Sequence, residues 1–161
     1  MARVLIVGCG CRGIALADQL AAAGHPVRGT TRDPARVPEL EAAGIEPAVG
    51  DPYRLATLMP HVANTSAMVW LMGSAEGEDV EALHRTRLQT VLERLVDTPV
   101  RGMVYEAAGK LPDKLLREGA AAVRRASLTW QMPNAIVERH PRGHEQWLAA
   151  MVEGVGRVLS I

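Results

Sequence analysis

Residues 8–13 read Gly-Cys-Gly-Cys-Arg-Gly and lie between a run of four apolar residues and an alanine-rich stretch with helical spacing. A buried strand, a glycine turn spaced G-x-G-x-x-G and a helix together form the context in which this motif carries meaning. Gly8 permits a tight strand exit, Gly10 lets the backbone approach a pyrophosphate, and Gly13 lets the helix pack closely on the strand. The free N–H groups at the helix start favour negative charge. The segment predicts a dinucleotide-binding turn, and the alternative is a glycine-rich turn that binds nothing.

The end of the second predicted strand indicates which dinucleotide this turn would hold. An NAD site usually places a carboxylate about 20 residues further on, where it holds the ribose 2′-hydroxyl. Here that position is Thr31, and Arg32 follows it. Without a carboxylate at this position, a ribose 2′-phosphate would meet no negative charge that repels it. A guanidinium can bind such a phosphate through two hydrogen bonds. The sequence predicts NADP(H), with Arg12 flanking the same phosphate from the other side; the alternative for Arg32 is a solvated charge.

Charge and composition exclude several classes of partner. Eighteen Lys and Arg residues balance eighteen Asp and Glu residues, so the sequence shows no electrostatic footprint for nucleic acid or an anionic membrane. No run approaches the roughly 18 apolar residues of a membrane span, and a strand begins at once, which predicts a cytoplasmic protein without a signal peptide. His140 and His144 are separated by Pro141 and Gly143, so we predict no metal site there.

Strand-like and helix-like segments alternate along the chain. Strands are predicted at about 3–7, 27–31, 45–49, 67–71, 101–105 and 127–131, and helices at about 11–23, 34–43, 53–59, 79–96, 112–125 and 145–155. Such βαβ alternation predicts a doubly wound α/β fold, in which helices cover both faces of a parallel sheet of about six strands. With no linker or repeat, residues 1–161 are predicted to form a single domain. The apolar helix 79–96, with Trp70 and Trp147 elsewhere, favours a homodimer.

Three segments carry a resemblance to a known family. They are residues 4–10 (VLIVGCG), 29–34 (GTTRDP) and 49–52 (VGDP). On these residues the chain resembles an atypical short-chain dehydrogenase/reductase, of the NAD(P)-dependent epimerase-like or NAD(P)H-binding type. The resemblance covers the first five predicted strands and implies a three-layer Rossmann-like fold. It also implies an adenine contact from Asp51 and an inner-ribose contact from residues 71–74; the other interpretation of Asp51 is a turn residue ahead of Pro52.

The catalytic residues of that family have no counterpart in this sequence. Its chemistry uses a tyrosine acidified by a lysine four residues later, because that spacing puts both groups on one helix face. The tyrosines here are Tyr53 and Tyr105, the lysines are Lys110 and Lys114, and no pair has that spacing. Glu106, at the end of the fifth predicted strand, is the remaining candidate acid or base. Its other interpretation is a solvated or helix-capping carboxylate.

Two functions remain open. One is an NADP(H)-dependent oxidoreductase or epimerase-like protein acting on an unknown small molecule, and the other is a non-catalytic NADP(H)-binding sensor or regulatory subunit. Cys11 is also a candidate reactive thiolate, because a helix N-terminus can lower the pKa of a thiol, although a phosphate turn simply needs small residues. The predicted nucleotide-binding residues are Gly8, Cys9, Gly10, Cys11, Arg12, Gly13, Thr31, Arg32, Asp51, Pro52, Leu71, Met72 and Gly73.

Overall fold

The computed structural model describes residues 2–160, which form a parallel sheet with helices on both faces. Its strands are β1 (Val4–Val7), β2 (Val27–Thr31), β3 (Glu46–Val49), β4 (Ala67–Trp70), β5 (Gly102–Glu106) and β6 (Asn134–Val137). Its helices are α1 (Cys11–Ala22), α2 (Val37–Ala42), α3 (Leu55–Leu58), α4 (Thr86–Leu95), α5 (Asp113–Trp130) and α6 (His144–Leu159). Short 3₁₀ helices occur at Pro34–Arg36, Met59–Val62 and Val80–His84.

The strand order in the sheet is β3-β2-β1-β4-β5-β6, and every pairing is parallel. The chain winds outward from β1 to β3 and then crosses back to place β4 on the other side of β1. The direction of winding therefore reverses between β1 and β4. In open α/β sheets, ligands bind outside the carboxyl ends of the strands at such a point. The predicted doubly wound α/β fold is confirmed.

The apolar run of β1 is explained by burial on both faces of the sheet. Val4 and Ile6 belong to a core shared with α1, α2 and α6. Leu5 and Val7 belong to the opposite core, shared with α3, α4 and α5. All four side chains are fully buried, which is why the strand is uniformly apolar rather than alternating.

The long helix predicted over 79–96 is wrong in its first half. A 3₁₀ helix spans Val80–His84, and α4 begins only after Arg85, whose φ of −128° and ψ of −97° break the helical path. The break places Leu83 in the core, where its carbonyl accepts a hydrogen bond of 3.0 Å from Trp70 Nε1. The longest helix in the described residues is instead α5, with 18 residues.

The strand predicted over 127–131 is also wrong, because α5 continues through these residues to Trp130. Leu128, in the middle of that segment, is 84% exposed on the helix surface. The helix ends at Gln131, which has a left-handed φ of 52°. The sixth strand follows at 134–137 and pairs with β5.

Trp70 and Trp147 are both fully buried within the monomer. They therefore contribute no surface to a homodimer, and the long apolar helix invoked for pairing does not exist in that form. Among residues 2–160, no helix is both long enough and apolar enough to cross a membrane.

Candidate functional site

The glycine turn joins β1 to α1 at the point where the winding of the sheet reverses. Gly8 has a φ of +90°, and a Cβ there would overlap the Met72 methyl group and lie 2.8 Å from the Leu71 carbonyl oxygen. Its N–H donates to Thr30 Oγ1 at 3.0 Å, which ties the turn to the end of β2. Only glycine fits this backbone without displacing the loop after β4.

The start of α1 is free to bind an anion. Gly10 occupies the N-cap position, no side chain caps the helix, and its first turn has no acidic residue. A Cβ on Gly10 would meet no described atom within 4 Å, whereas one on Gly13 would lie 3.1 Å from Cys9 Sγ. Space is therefore open at Gly10, whereas Gly13 packs closely against the turn. Unpaired N–H groups and the positive end of the helix dipole face this space.

A cavity of about 370 Å³ lies in front of this turn, at the carboxyl ends of β1, β2, β3 and β4. We call it the switch-point cavity. Of the thirteen predicted binding residues, it is lined by Gly8, Cys9, Gly10, Arg12, Thr31, Arg32, Pro52, Leu71 and Met72. The remaining predicted residues, Cys11, Gly13, Asp51 and Gly73, lie outside its lining. Ser74, the last residue of the predicted inner-ribose segment 71–74, also lines it, whereas the sequence analysis missed Thr30, Arg36 and Tyr53 among the lining residues.

The end of β2 presents two arginines to the switch-point cavity. Arg32 is exposed, and its guanidinium carbon lies 5.8 Å from the centre of the Tyr53 ring. Arg36 donates to the Cys9 carbonyl oxygen at 2.9 Å and pairs with Glu39 at 3.1 Å. Arg36 is the last residue of the 3₁₀ helix that Asp33 and Pro34 begin, and this short helix returns it to the glycine turn.

Thr31 is the last residue of β2 and lines the switch-point cavity. The side chain is buried, and its Oγ1 accepts a hydrogen bond of 3.1 Å from the Asp33 N–H. Asp33 in turn accepts from the Ala35 N–H at 2.9 Å and caps the 3₁₀ helix that follows. Asp33, the acidic residue nearest to Thr31 in the sequence, is thus engaged as a helix cap.

Asp51 stabilises the turn that follows β3. Its Oδ1 accepts from the Tyr53 N–H at 2.9 Å, and its own N–H donates to Thr57 Oγ1 at 2.9 Å. These bonds hold Pro52 and Tyr53 against the switch-point cavity while Asp51 itself lies behind them. The Tyr53 hydroxyl oxygen is buried and has no hydrogen-bond partner among residues 2–160.

Glu106, the candidate acid or base, is neither solvated nor a helix cap. Its side chain is fully buried at the end of β5. Oε1 accepts from the Gly73 N–H at 2.9 Å, and Oε2 accepts from Trp147 Nε1 at 2.9 Å. Both oxygens also face the guanidinium of Arg12, with Nη1 bonded to Oε2 and Nη2 at 3.4 Å from Oε1. The carboxylate is therefore surrounded by donors and held as a structural ion pair.

Arg12 points away from the position expected for it. Its guanidinium pairs with Glu106 on β5 and lies 5.2 Å from the centre of the Trp147 ring. In the sheet, β5 and β2 lie on opposite sides of the β1–β4 pair. Arg12 is therefore directed away from Arg32, and the prediction that it flanks the same phosphate does not match this geometry. The second arginine on the β2 side of the cavity is Arg36.

The two cysteines of the turn have different environments. Cys9 is buried against Gly13 and Gly29, and this burial raises the pKa of its thiol to about 11, although Arg36 opposes the shift. Cys11 is exposed, and both thiols are free. In the described part of the chain, His, Cys, Asp and Glu side chains form no group of three or more that could hold a metal ion.

A buried histidine links the loop after β4 to β5. His84 Nε2 lies 2.9 Å from the Met72 carbonyl oxygen, and Nδ1 lies 2.5 Å from the Tyr105 hydroxyl. Since a carbonyl only accepts, Nε2 carries the proton and the tyrosine donates to Nδ1. Burial lowers the pKa of His84, and burial together with the charge of Glu106 raises the pKa of Tyr105. Tyr105 is thus an inward-facing structural residue rather than a catalytic phenol.

Residues 4–97 match a known family, the TrkA-N domain. They run from β1 through α4 and include the glycine turn, Arg32, Arg36 and the loop after β4. The chain belongs to the TrkA-N domain family. No curated protein sequence matches this TrkA-N domain.

Solved structures similar to this TrkA-N domain come from short-chain dehydrogenase/reductase and epimerase proteins. A short-chain dehydrogenase/reductase superfamily protein from Agrobacterium tumefaciens, with bound NAD, is 19% identical with a TM-score of 0.67, covering 83% of this chain and 48% of that one. A triphenylmethane reductase from Citrobacter sp., complexed with NADP(H), is 18% identical with a TM-score of 0.66. The match covers 85% of this chain and 49% of the reductase. A UDP-glucuronic acid 4-epimerase from Bacillus cereus, in complex with NAD, is 13% identical with a TM-score of 0.62. The match covers 87% of this chain and 60% of the epimerase.

These likenesses confirm the predicted resemblance at the level of the fold. The TrkA-N domain and its flanking elements span only about half the length of the Agrobacterium and Citrobacter proteins. The shared part is the fold, a Rossmann-like parallel sheet with helices on both faces.

Proposed function

We propose that this chain binds NADP(H) in the switch-point cavity and acts as a nucleotide-binding module rather than as an oxidoreductase. The observation that carries the proposal is the end of β2, where Thr31 replaces a carboxylate and two arginines, Arg32 and Arg36, border the cavity. A 2′-phosphate placed there would meet two guanidinium groups, whereas Asp33, the carboxylate that lines the cavity beside Arg32, already caps the 3₁₀ helix through the Ala35 N–H.

The turn supplies the second half of the proposed site. Gly10 leaves open space beside the uncapped start of α1, which suits a pyrophosphate bound by backbone N–H groups. Tyr53 lines the same cavity with an unpaired hydroxyl, so a ligand could complete its hydrogen bonding. The Agrobacterium and Citrobacter proteins, which were solved with NAD and NADP(H), support a dinucleotide as the ligand class.

The engagement of Glu106 supports the non-catalytic part of the proposal, because it removes the candidate acid or base. A general acid or base must exchange a proton with a substrate, but both oxygens of this carboxylate are occupied by donors from Arg12, Gly73 and Trp147. Hydride transfer to a small molecule is the second candidate function, and its support is the fold shared with triphenylmethane reductase. Such transfer can proceed with little protein chemistry because the cofactor carries the reactivity.

Calorimetric titration of NADPH and NADH into the wild-type protein and into Arg32→Ala tests the binding proposal. Loss of a charge-assisted hydrogen bond of about 1.5–3 kcal/mol should weaken NADPH binding about tenfold to a hundredfold and leave NADH binding nearly unchanged. Arg117→Ala is the matched control, because Arg117 is an exposed arginine on α5 away from the cavity. Equal losses for both nucleotides, or an effect of the control variant, would contradict the role given to Arg32.

A further inference from the structure

The switch-point cavity covers only one side of the site. Its lining comes from the ends of β1, β2, β3 and β4, together with Leu83, and none of the described lining residues belongs to the loops after β5 or β6. In a doubly wound sheet, a dinucleotide extends across the strand ends on both sides of the switch point. The cavity is therefore open on the β2 side of the switch point, where the adenosine of a dinucleotide would lie. The β5 side, where its nicotinamide would lie, contributes no loop to the lining.

Arg12 and Glu106 occupy that opposite side. Glu106 is fully buried, and it fixes three groups at once: the Arg12 guanidinium, the Gly73 N–H and the Trp147 ring nitrogen. Arg12 lies over the Trp147 ring and also borders the cavity, with 28% of its side chain exposed. It therefore forms the wall between the open cavity and the end of β5. Such a buried ion pair is costly to separate, because one charge would be left without a partner.

The loops after β4 and β5 close the same side behind this ion pair. Leu111 N–H donates to the Gly73 carbonyl oxygen at 3.1 Å, and Lys110 N–H donates to Ser74 Oγ at 3.0 Å. Gly109 packs so tightly that a Cβ there would overlap the Gly73 carbonyl. The two loops thus contact one another directly beside the Arg12–Glu106 ion pair and leave no gap between them at Gly73 and Gly109.

We infer that Arg12, held by Glu106 and Trp147, ends the binding site at the pyrophosphate. The chain then recognises the 2′-phosphoadenosine diphosphate half of NADP(H) and leaves the nicotinamide outside the cavity. The ligand class is a 2′-phosphorylated adenine nucleotide, with or without a nicotinamide. This inference rests on the proposed function, and it adds that the ring makes no contribution to affinity.

The direct test compares NADPH with 2′-phospho-ADP-ribose, which lacks the nicotinamide ring, by calorimetry on the wild-type protein. Equal dissociation constants, within about threefold, are expected. The emission of the reduced nicotinamide should also stay unchanged on binding, because the ring remains in water. NADPH binding more than about tenfold tighter than the fragment, with altered emission, would overturn the inference and leave NADP(H) binding intact. Binding of neither nucleotide would overturn both.

A double variant tests the wall itself. Arg12→Met with Glu106→Gln removes both charges together, so neither is left buried and unpaired. The opened side should raise the affinity for NADPH relative to the fragment at least about fivefold and change the nicotinamide emission. The matched control is Arg85→Met with Glu118→Gln, which removes an exposed ion pair of 2.8 Å away from the cavity. The role of Arg12 would be overturned if the ratio of NADPH affinity to fragment affinity stayed unchanged in the Arg12→Met, Glu106→Gln variant. An equal change of that ratio in the control variant would overturn it as well. Should the first variant fail to fold, the wild-type comparison still decides.

Discussion

Gly8 and Gly10 are the residues at which folding and binding can be separated most cleanly. Gly8 needs a left-handed backbone and has no room for a Cβ, whereas Gly10 has an extended backbone and open space around it. The first is required by the folded protein alone. The second has no structural reason to be glycine within residues 2–160, which points to a ligand as its reason.

We therefore expect Gly8→Ala and Gly10→Ala to behave differently. Gly8→Ala should lower the free energy of unfolding by about 2 kcal/mol or more, through backbone strain and overlap with the loop after β4. Gly10→Ala should change it by less than about 1 kcal/mol but weaken NADPH binding at least about tenfold, because the methyl group fills the pyrophosphate space. Urea unfolding and calorimetry measure the two effects. Wild-type affinity in Gly10→Ala would contradict the assignment.

The two cysteines give a second residue-scale prediction. Burial keeps Cys9 protonated, with its pKa raised to about 11, while Cys11 is exposed at the start of α1. At pH 8 a thiol reagent should modify one thiol in the native protein and both after denaturation. Cys11→Ser should abolish the native reaction, and Cys9→Ser should leave it. Two reactive thiols in the native wild-type protein would show that the turn opens.

At the scale of elements, the break before α4 depends on buried polar contacts that no helical pattern reveals. Leu83 and His84 turn inward because the Trp70 ring nitrogen and the Tyr105 hydroxyl offer them hydrogen bonds. The sequence predicted one long helix there because apolar residues at helical spacing continue across the break. It likewise predicted a strand at 127–131, since nothing local shows that α5 continues.

The buried His84 predicts a specific pH dependence of stability. Burial lowers its pKa from the ordinary 6.5, so the unfolded chain takes up the proton before the native protein does. This contribution to stability is present above about pH 6.5 and is lost as the pH falls toward the lowered native pKa. His84→Gln can accept from Tyr105 and donate to Met72 without titrating.

We expect the wild-type protein to lose about 1 kcal/mol more free energy of unfolding than His84→Gln between pH 7.5 and pH 5.5. Urea unfolding at both pH values measures this difference. His144→Gln is the control, because His144 is exposed at the start of α6 and should keep the wild-type slope. Identical slopes in wild type and His84→Gln would show that His84 is not the titrating group.

At the scale of the whole molecule, local patterns predicted the parallel sheet and the glycine turn, but not the contacts between distant segments. The turn, β1 and β2 lie within 31 residues of each other, and their boundaries follow from apolar runs and glycine positions. Arg12 and Glu106 are 94 residues apart, and their pairing depends on β5 lying next to β4. That adjacency is a property of the sheet order. The sequence analysis could therefore single out Arg12 and Glu106 as candidates but could not predict that they form an ion pair.

The same long-range pairing decides how the molecule is expected to work. The cavity is open on the β2 side and bordered by the Arg12–Glu106 ion pair on the β5 side, and under the proposed function it would hold a nucleotide by its phosphates and adenosine. Such a domain would respond to the presence of its ligand rather than transform it.

The measurement that tests this account most directly is a calorimetric titration of the wild-type protein with NADPH and with NADH. The account predicts that NADPH binds at least about tenfold more tightly, because Arg32 and Arg36 would both contact its 2′-phosphate, a group that NADH lacks. Tighter binding of NADH, or heat from neither nucleotide, would contradict it.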